Sequence, residues 1–167
     1  MGTDIDALLA QLSLEEKVAL CAGKSTWITT PVPRLGIPAM KLSDGPNAAR
    51  GDAVSGATAA CFPVGVALAA TWDVDLIEQV GGALGDEARS KNAQVLLGPT
   101  MNLHRHPLGG RNFECYSEDP YLSGAIACGF IRGVQSRGVA ACAKHFVCND
   151  SEFERHTISS EVDERTL

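Results

Sequence analysis

Two apolar runs, Val95-Leu96-Leu97 and residues 139–146 (VAACAKHF), flank a stretch that opens with Asp119-Pro120 and carries Leu122, Ile126, Phe130 and Val134 at helical spacing. This strand, helix, strand order constrains the fold more than any other feature. Strands without polar alternation are covered on both faces, and a helical crossover between them makes them parallel neighbours. The pattern recurs upstream. Residues 62–70 (FPVGVALAA) read as another buried strand, and Asp73 can cap a helix with Leu76, Ile77, Val80, Leu84 and Ala88 on one face. Before it, Met40-Lys41-Leu42-Ser43 reads as a short strand broken by Asp44-Gly45-Pro46. At the N-terminus, Leu8, Leu9 and Leu12 form a helical stripe, Ser13 and Glu16 form a capping box for a second helix, and Pro31, Pro33 and Pro38 exclude helix interior. Beyond residue 146 a polar segment leads to an expected helix start at Ser160, with Glu161 and Asp163 in its first turn.

About four parallel strands alternating with helices define an α/β architecture, and 167 residues fit one domain. An open, nucleotide-binding sheet would carry a G-x-G-x-x-G turn or a P-loop, and neither is present. A (β/α)8 barrel is favoured by where polar residues fall. Asp44, Arg105, Arg111, Lys144, His145 and Arg155 all lie at or just beyond expected strand C-termini, the face where barrel enzymes place their chemistry.

A net charge of −6 without a Lys/Arg cluster argues against nucleic acid and anionic membrane, since both select a basic face. No apolar run approaches the roughly 20 residues that span a bilayer, and no export signal is visible at Met1 to Asp6, so a cytoplasmic location is expected. Six scattered cysteines without a C-x-x-C pair read as reduced and structural.

The stretch 98–114 is too long and too charged for a plain connector. Lys144-His145 abuts the apolar run of a buried strand, and because strand neighbours face opposite sides, at least one of the two must point inward or into a mouth. His104 and His106 lack the further ligands of a tetrahedral site, so no metal is expected, and the absence of G-x-S-x-G argues against a serine hydrolase. One early carboxylate, two or three arginines, a lysine and a histidine suit a polyhydroxylated ligand. Asp44 could accept from two neighbouring hydroxyls while Arg111, Lys144 and His145 donate.

Three segments, LSDGPN (42–47), GPTMNLHRHPLGGRNFECYSEDP (98–120) and KHFVCNDSEFERHTISSEVDERTL (144–167), closely resemble the N-terminal domain of family-3 glycoside hydrolases, the β-glucosidase branch. The resemblance covers essentially the whole chain. It implies a (β/α)8 or related barrel and retaining hydrolysis of terminal, non-reducing β-D-glycosyl residues without a cofactor. It further implies that Asp44, Arg111, Lys144, His145 and Arg155 bind the sugar, and that Arg105 supports its loop without touching sugar. The KHFPGHG-type loop of the N-acetylhexosaminidase branch is absent; KHFVCND stands in its place.

In that family the nucleophile is an Asp well beyond the KHF segment and the acid/base usually comes from a second domain. The expectation is therefore a partial domain over residues 1–167, truncated before the nucleophile segment, with no catalytic residue in this chain. Asp119 reads as a helix cap, Asp150 as a loop residue and Asp163 as a first-turn carboxylate, so none substitutes. Such a chain is expected to be inactive alone, to supply binding residues for a β-glucoside or oligosaccharide, and to self-associate through its open barrel edge. The alternative is a non-catalytic carbohydrate-binding or interaction module that kept the fold and lost the chemistry.

Overall fold

The computed structural model describes residues 4–51 and 58–167, which form two compact units, 1–42 and 43–167. Residues 52–57, within the Gly/Ala-rich segment before residue 62, lie outside the described residues.

The first unit holds helices α1 (Ile5–Gln11) and α2 (Leu14–Cys21), followed by an antiparallel pair, β1 (Gly23–Ser25) and β2 (Ile28–Thr29). Asp4 caps α1 by accepting from the Ala7 N–H at 3.0 Å. The expected capping box starts α2: the Glu16 N–H donates to Ser13 Oγ at 3.2 Å and the Ser13 N–H to Glu16 Oε2 at 2.9 Å. Pro33 opens a one-turn 3-10 helix, Pro33–Leu35, and Arg34 reaches back to Glu16 and to the Gln11 carbonyl.

The second unit is built on a three-stranded parallel sheet in the order β3 (Leu42–Asp44), β4 (Val95–Leu97), β5 (Ala140–Ala141). Val95 pairs with Ala140 and Leu96 with Ala141, and a parallel bridge between Thr100 and Lys144 extends the pairing beyond the strands. Asp73 and Asp119 both act as helix caps. Their side chains accept from Leu76 N–H and Tyr121 N–H, each at 2.9 Å, and start α4 (Val74–Ser90) and α5 (Pro120–Gln135). The two long helices bury most of the stripes the sequence marks out, Ile77, Val80, Leu84 and Ala88 on one and Ile126, Phe130 and Val134 on the other, with Leu122 partly buried; Leu76, expected on the buried face, is instead exposed. Their backbones approach closely because α5 carries glycine at the contact. A Cβ on Gly133 would lie 2.1 Å from the Glu78 carbonyl oxygen of α4.

Three expectations need correction. Residues 62–70 are not a strand; Gly65–Ala69 form a short helix, α3. A short apolar run does not by itself separate buried strand from buried helix, and the two alanines of GVALA tip this one toward helix. The sheet among the described residues therefore has three strands and not four, and the expected strands 40–43 and 139–146 shorten to Leu42–Asp44 and Ala140–Ala141. Nor does a helix start at Ser160. Asp163 instead closes a single turn, accepting the Thr166 N–H at 2.7 Å with its side chain and the Leu167 N–H at 3.0 Å with its carbonyl. The α/β class and the barrel type of fold stand.

Candidate functional site

All three strands of the sheet deliver charged side chains to one place. β3 ends on Asp44, and the chain folds back so that the Arg50 N–H donates to the Asp44 carbonyl at 3.0 Å while the Arg50 guanidinium binds Asp44 Oδ2. Ser43, fully buried, ties the same turn by accepting from the Gly51 N–H at 2.9 Å. Beyond β5, the backbone of Lys144 is held against the end of β4: its N–H donates to the Pro99 carbonyl at 2.9 Å, and its carbonyl accepts from Met101 N–H at 2.9 Å. Lys144 Nζ thereby comes within 3.5 Å of Asp44 Oδ1. The next residue is fixed by its own N–H, which donates to Asn102 Oδ1 at 2.9 Å.

The connection after β4 carries the third part. Its 3-10 turn, Asn112–Glu114, puts Arg111 beside His145, with Nη1 2.9 Å from the ring Nε2. Arg111 Nε binds Glu114 Oε1, and the buried Thr100 hydroxyl donates to Glu114 Oε2 at 3.1 Å. Gly65 lets α3 lie directly on this turn, since a Cβ there would stand 2.2 Å from the Glu114 carbonyl oxygen. Glu152 lies between two guanidinium groups, 3.9 Å from Arg111 Nη1 and 2.9 Å from Arg155 Nη1.

Electrostatics follow from these contacts. Burial, the largest single influence on Asp44, opposes its ionisation, but Arg50 and Lys144 together outweigh it and hold the carboxyl below its ordinary value. The same balance holds for Glu114, where burial is outweighed by Arg111 with help from Thr100 and Lys144. His145 is pushed down, first by burial and then by the positive charges of Arg111 and Lys144, which favours the neutral ring. Burial pushes the neighbouring Cys115 thiol up to about 11, so it is no thiolate nucleophile.

The five residues singled out in the sequence are thus brought together: Asp44 with Lys144, Arg111 with His145, and Arg155 through Glu152. Lys144 and His145 both contribute, where strand alternation leads one to expect opposite faces. The regular strand ends at Ala141, so alternation no longer governs the pair. Arg105 is engaged elsewhere, in a two-pronged pair with Asp150 at 2.9 and 2.8 Å, which braces its loop against the segment after His145. Arg50, Glu114, Glu152, Thr100 and Asn102 are participants that the sequence reading missed. Arg50 lay in view within DGPNAAR and Glu114 within GGRNFE, but nothing local shows that each grips another member of the set.

A cavity of about 320 Å3 opens beside the cluster. It shares Asn102, Lys144 and His145 with the cluster, and its other walls are Met101, Leu103 and Arg105 of the connection after β4, the start of α5 (Pro120, Ser123, Gly124), Phe146 to Cys148 with Asp150, and Thr166 and Leu167, so Asp44 and Arg111 lie outside it. Among the described residues no group of His, Cys, Asp and Glu is arranged to hold a metal ion, and no helix is long and apolar enough to cross a membrane.

The chain is similar in sequence and in fold to proteins named β-glucosidase. A β-glucosidase of Rhizobium radiobacter is 59% identical over 165 residues, matching 98% of this chain and 20% of its own length. Thermostable β-glucosidase B of Acetivibrio thermocellus is 49% identical, matching 100% of this chain and 23% of its own. The crystal structure of a Kluyveromyces marxianus β-glucosidase in complex with glucose superposes with a TM-score of 0.87 at 48% identity, covering 90% of this chain and 18% of the crystallised one. The chain spans about a fifth of the length of these curated relatives. The sequence model of the glycosyl hydrolase family 3 N-terminal domain matches residues 13–166, and the chain belongs to that family.

Proposed function

We propose that this chain is the sugar-binding N-terminal part of a retaining β-glucosidase-type glycoside hydrolase, and that Asp44, Arg111, Lys144, His145 and Arg155 hold the terminal glucosyl unit of a β-glucoside. The observation that carries the reading is the meeting of Asp44, at the end of the first strand of the sheet, with Lys144, just beyond the last, at 3.5 Å. A carboxylate has about four lone-pair sites. Arg50 occupies Oδ2 from one side and Lys144 stands off Oδ1 from the other, which leaves acceptor capacity on both oxygens for two adjacent sugar hydroxyls. Arg111, Lys144 and His145 then supply donors at the rim, and the neutral ring adds a donor without adding charge.

The chemical step needs two more carboxyl groups about 5 to 5.5 Å apart, one attacking the anomeric carbon and one protonating the leaving oxygen. The acids near the cluster are committed otherwise: Asp44 to Arg50 and Lys144, Glu114 to Arg111, Asp150 to Arg105, Glu152 to Arg155. Asp119 caps α5 and Asp163 closes its turn. The 167-residue chain is therefore expected to turn over no substrate by itself. Incubation with a chromogenic β-glucoside checks this, and turnover abolished by mutating one of the chain's own acids would overturn it. β5 is an edge strand, so self-association through that edge is part of the same reading, with a concentration-dependent sedimentation coefficient as its sign.

A further inference from the structure

We propose that Glu114 is a positioning residue that acts through Arg111 to hold the His145 ring as its Nδ1–H tautomer, leaving that N–H as the ring's only donor to a ligand oxygen. A guanidinium donates and cannot accept, so the 2.9 Å contact between Arg111 Nη1 and His145 Nε2 requires a lone pair on Nε2. The ring proton must then sit on Nδ1. A doubly protonated ring would set an N–H against an N–H and a cation against a cation. His145 Nδ1 is buried and has no hydrogen-bond partner among the described residues. It is therefore a donor held in place with no acceptor among the described residues.

Arg111 can present Nη1 in that direction because its Nε edge is taken by Glu114, and Glu114 is itself fixed by the Thr100 hydroxyl at 3.1 Å. Glu114 is 7% and Thr100 1% exposed, so the anchor sits in the core while the guanidinium it directs lies at the mouth. The charged groups facing the ring are Arg111 and Lys144 on one side of the balance and Glu114 and Glu152 on the other. His106 supplies a contrast within the same connection. There the Leu108 backbone N–H donates to Nδ1 at 3.1 Å, which puts the proton on Nε2.

The relay stands on the protein's own contacts; only the identity of the acceptor, a sugar hydroxyl, rests on the proposed function. The test is long-range 1H–15N NMR of the histidine-labelled 167-residue protein without ligand at neutral pH, with the His145 signals assigned by His145→Gln. His145 is expected as Nδ1–H in roughly tenfold or greater excess over Nε2–H, the preference expected of one charge-assisted hydrogen bond, and His106 as Nε2–H. In Glu114→Gln the excess should fall several-fold at His145 and stay unchanged at His106. A wild-type His145 that is Nε2–H or charged overturns the proposal, as does an unaltered tautomer ratio in Glu114→Gln. Should Glu114→Gln fail to fold, Thr100→Val, which removes only the hydroxyl's hold on Glu114, should lower the ratio in the same direction, and an unchanged ratio there overturns the relay. Glucose added to the wild type then separates the two readings. A correct tautomer whose Nδ1–H resonance ignores glucose supports the relay and counts against the sugar reading alone.

Discussion

The helix pair α4 and α5 and the charged mouth at the strand ends are held together by different physics. Between the helices nothing buried is ionisable: Ile77, Leu84, Ile126, Phe130 and Val134 are inaccessible to solvent, and a glycine at the contact lets backbone meet backbone. At the mouth the charged groups are held to one another by hydrogen bonds and ion pairs, and Asp44 and Glu114 each have a basic partner. The difference places stability at one end of the unit and, on the proposed function, ligand recognition at the other, the division that barrel enzymes make between their core and the C-terminal ends of their strands. Mutations in the two regions should therefore fail in different ways.

The largest effect is expected from Phe130→Ala. Emptying a fully buried aromatic site costs about 3 to 5 kcal/mol, and because the ion pairs that bridge the helices, Arg132 with Glu78 and Arg137 with Asp86, lie at the solvent-exposed margin of the interface, the loss should be the same at neutral and mildly acidic pH. Denaturant unfolding at two pH values checks both statements. Next comes Asp44→Asn, made in a full-length enzyme carrying this domain. Each charge-assisted hydrogen bond lost to a hydroxyl is worth about 1.5 to 3 kcal/mol, so kcat/KM on an aryl β-glucoside should fall by at least tenfold with the unfolding midpoint little changed. An amide keeps one acceptor but turns the other into a donor facing a hydroxyl already oriented to donate. Lys144→Ala should do less harm, because water can replace a lost donor in part. An Asp44→Asn enzyme within about twofold of wild type would remove this residue from the sugar site.

Gly133→Ala should destabilise by about 1 to 3 kcal/mol, less the roughly 1 kcal/mol of helix propensity that alanine recovers, since its Cβ would meet the Glu78 carbonyl at 2.1 Å. The smallest effect is the pH dependence contributed by the mouth. Asp44 and Glu114 have folded-state values below their ordinary 3.8 and 4.5, and His145 lies below 6.5. In all three cases the unfolded chain takes up protons first as pH falls, so stability is full above about 6.5 and declines on acidification, first through His145 and then through the carboxyls. Glu114→Gln should flatten the acid limb of a thermal-melt series, whereas Phe130→Ala should lower the whole curve and leave its shape.

Legibility in the sequence divides along the same line. The helix pair could be read from periodicity and caps: Asp73 and Asp119 start helices where expected, and the buried faces carry the expected residues apart from Leu76, which is exposed. Residues 62–70 were misread because a nine-residue apolar run has no period long enough to separate helix from strand. At the mouth, Asp44, Lys144 and His145 stood out as polar residues at the ends of apolar runs. The groups that orient them did not. Glu114 belongs to the site because Thr100 and Arg111 converge on it in space, and Arg50 because the DGPNAAR turn doubles back on Asp44; neither fact is local to the residue.

The central claim is that the Asp44, Lys144, Arg111 and His145 cluster binds a glucosyl unit, and titrating the isotope-labelled protein with glucose tests it most directly. Saturable NMR shifts are predicted at the residues around Asp44, Arg111, Lys144 and His145, lost in Asp44→Asn while the signals of α4 and α5 stay in place. Glucose-induced shifts that survive Asp44→Asn unchanged, or the absence of any saturable shift at the cluster, would contradict it.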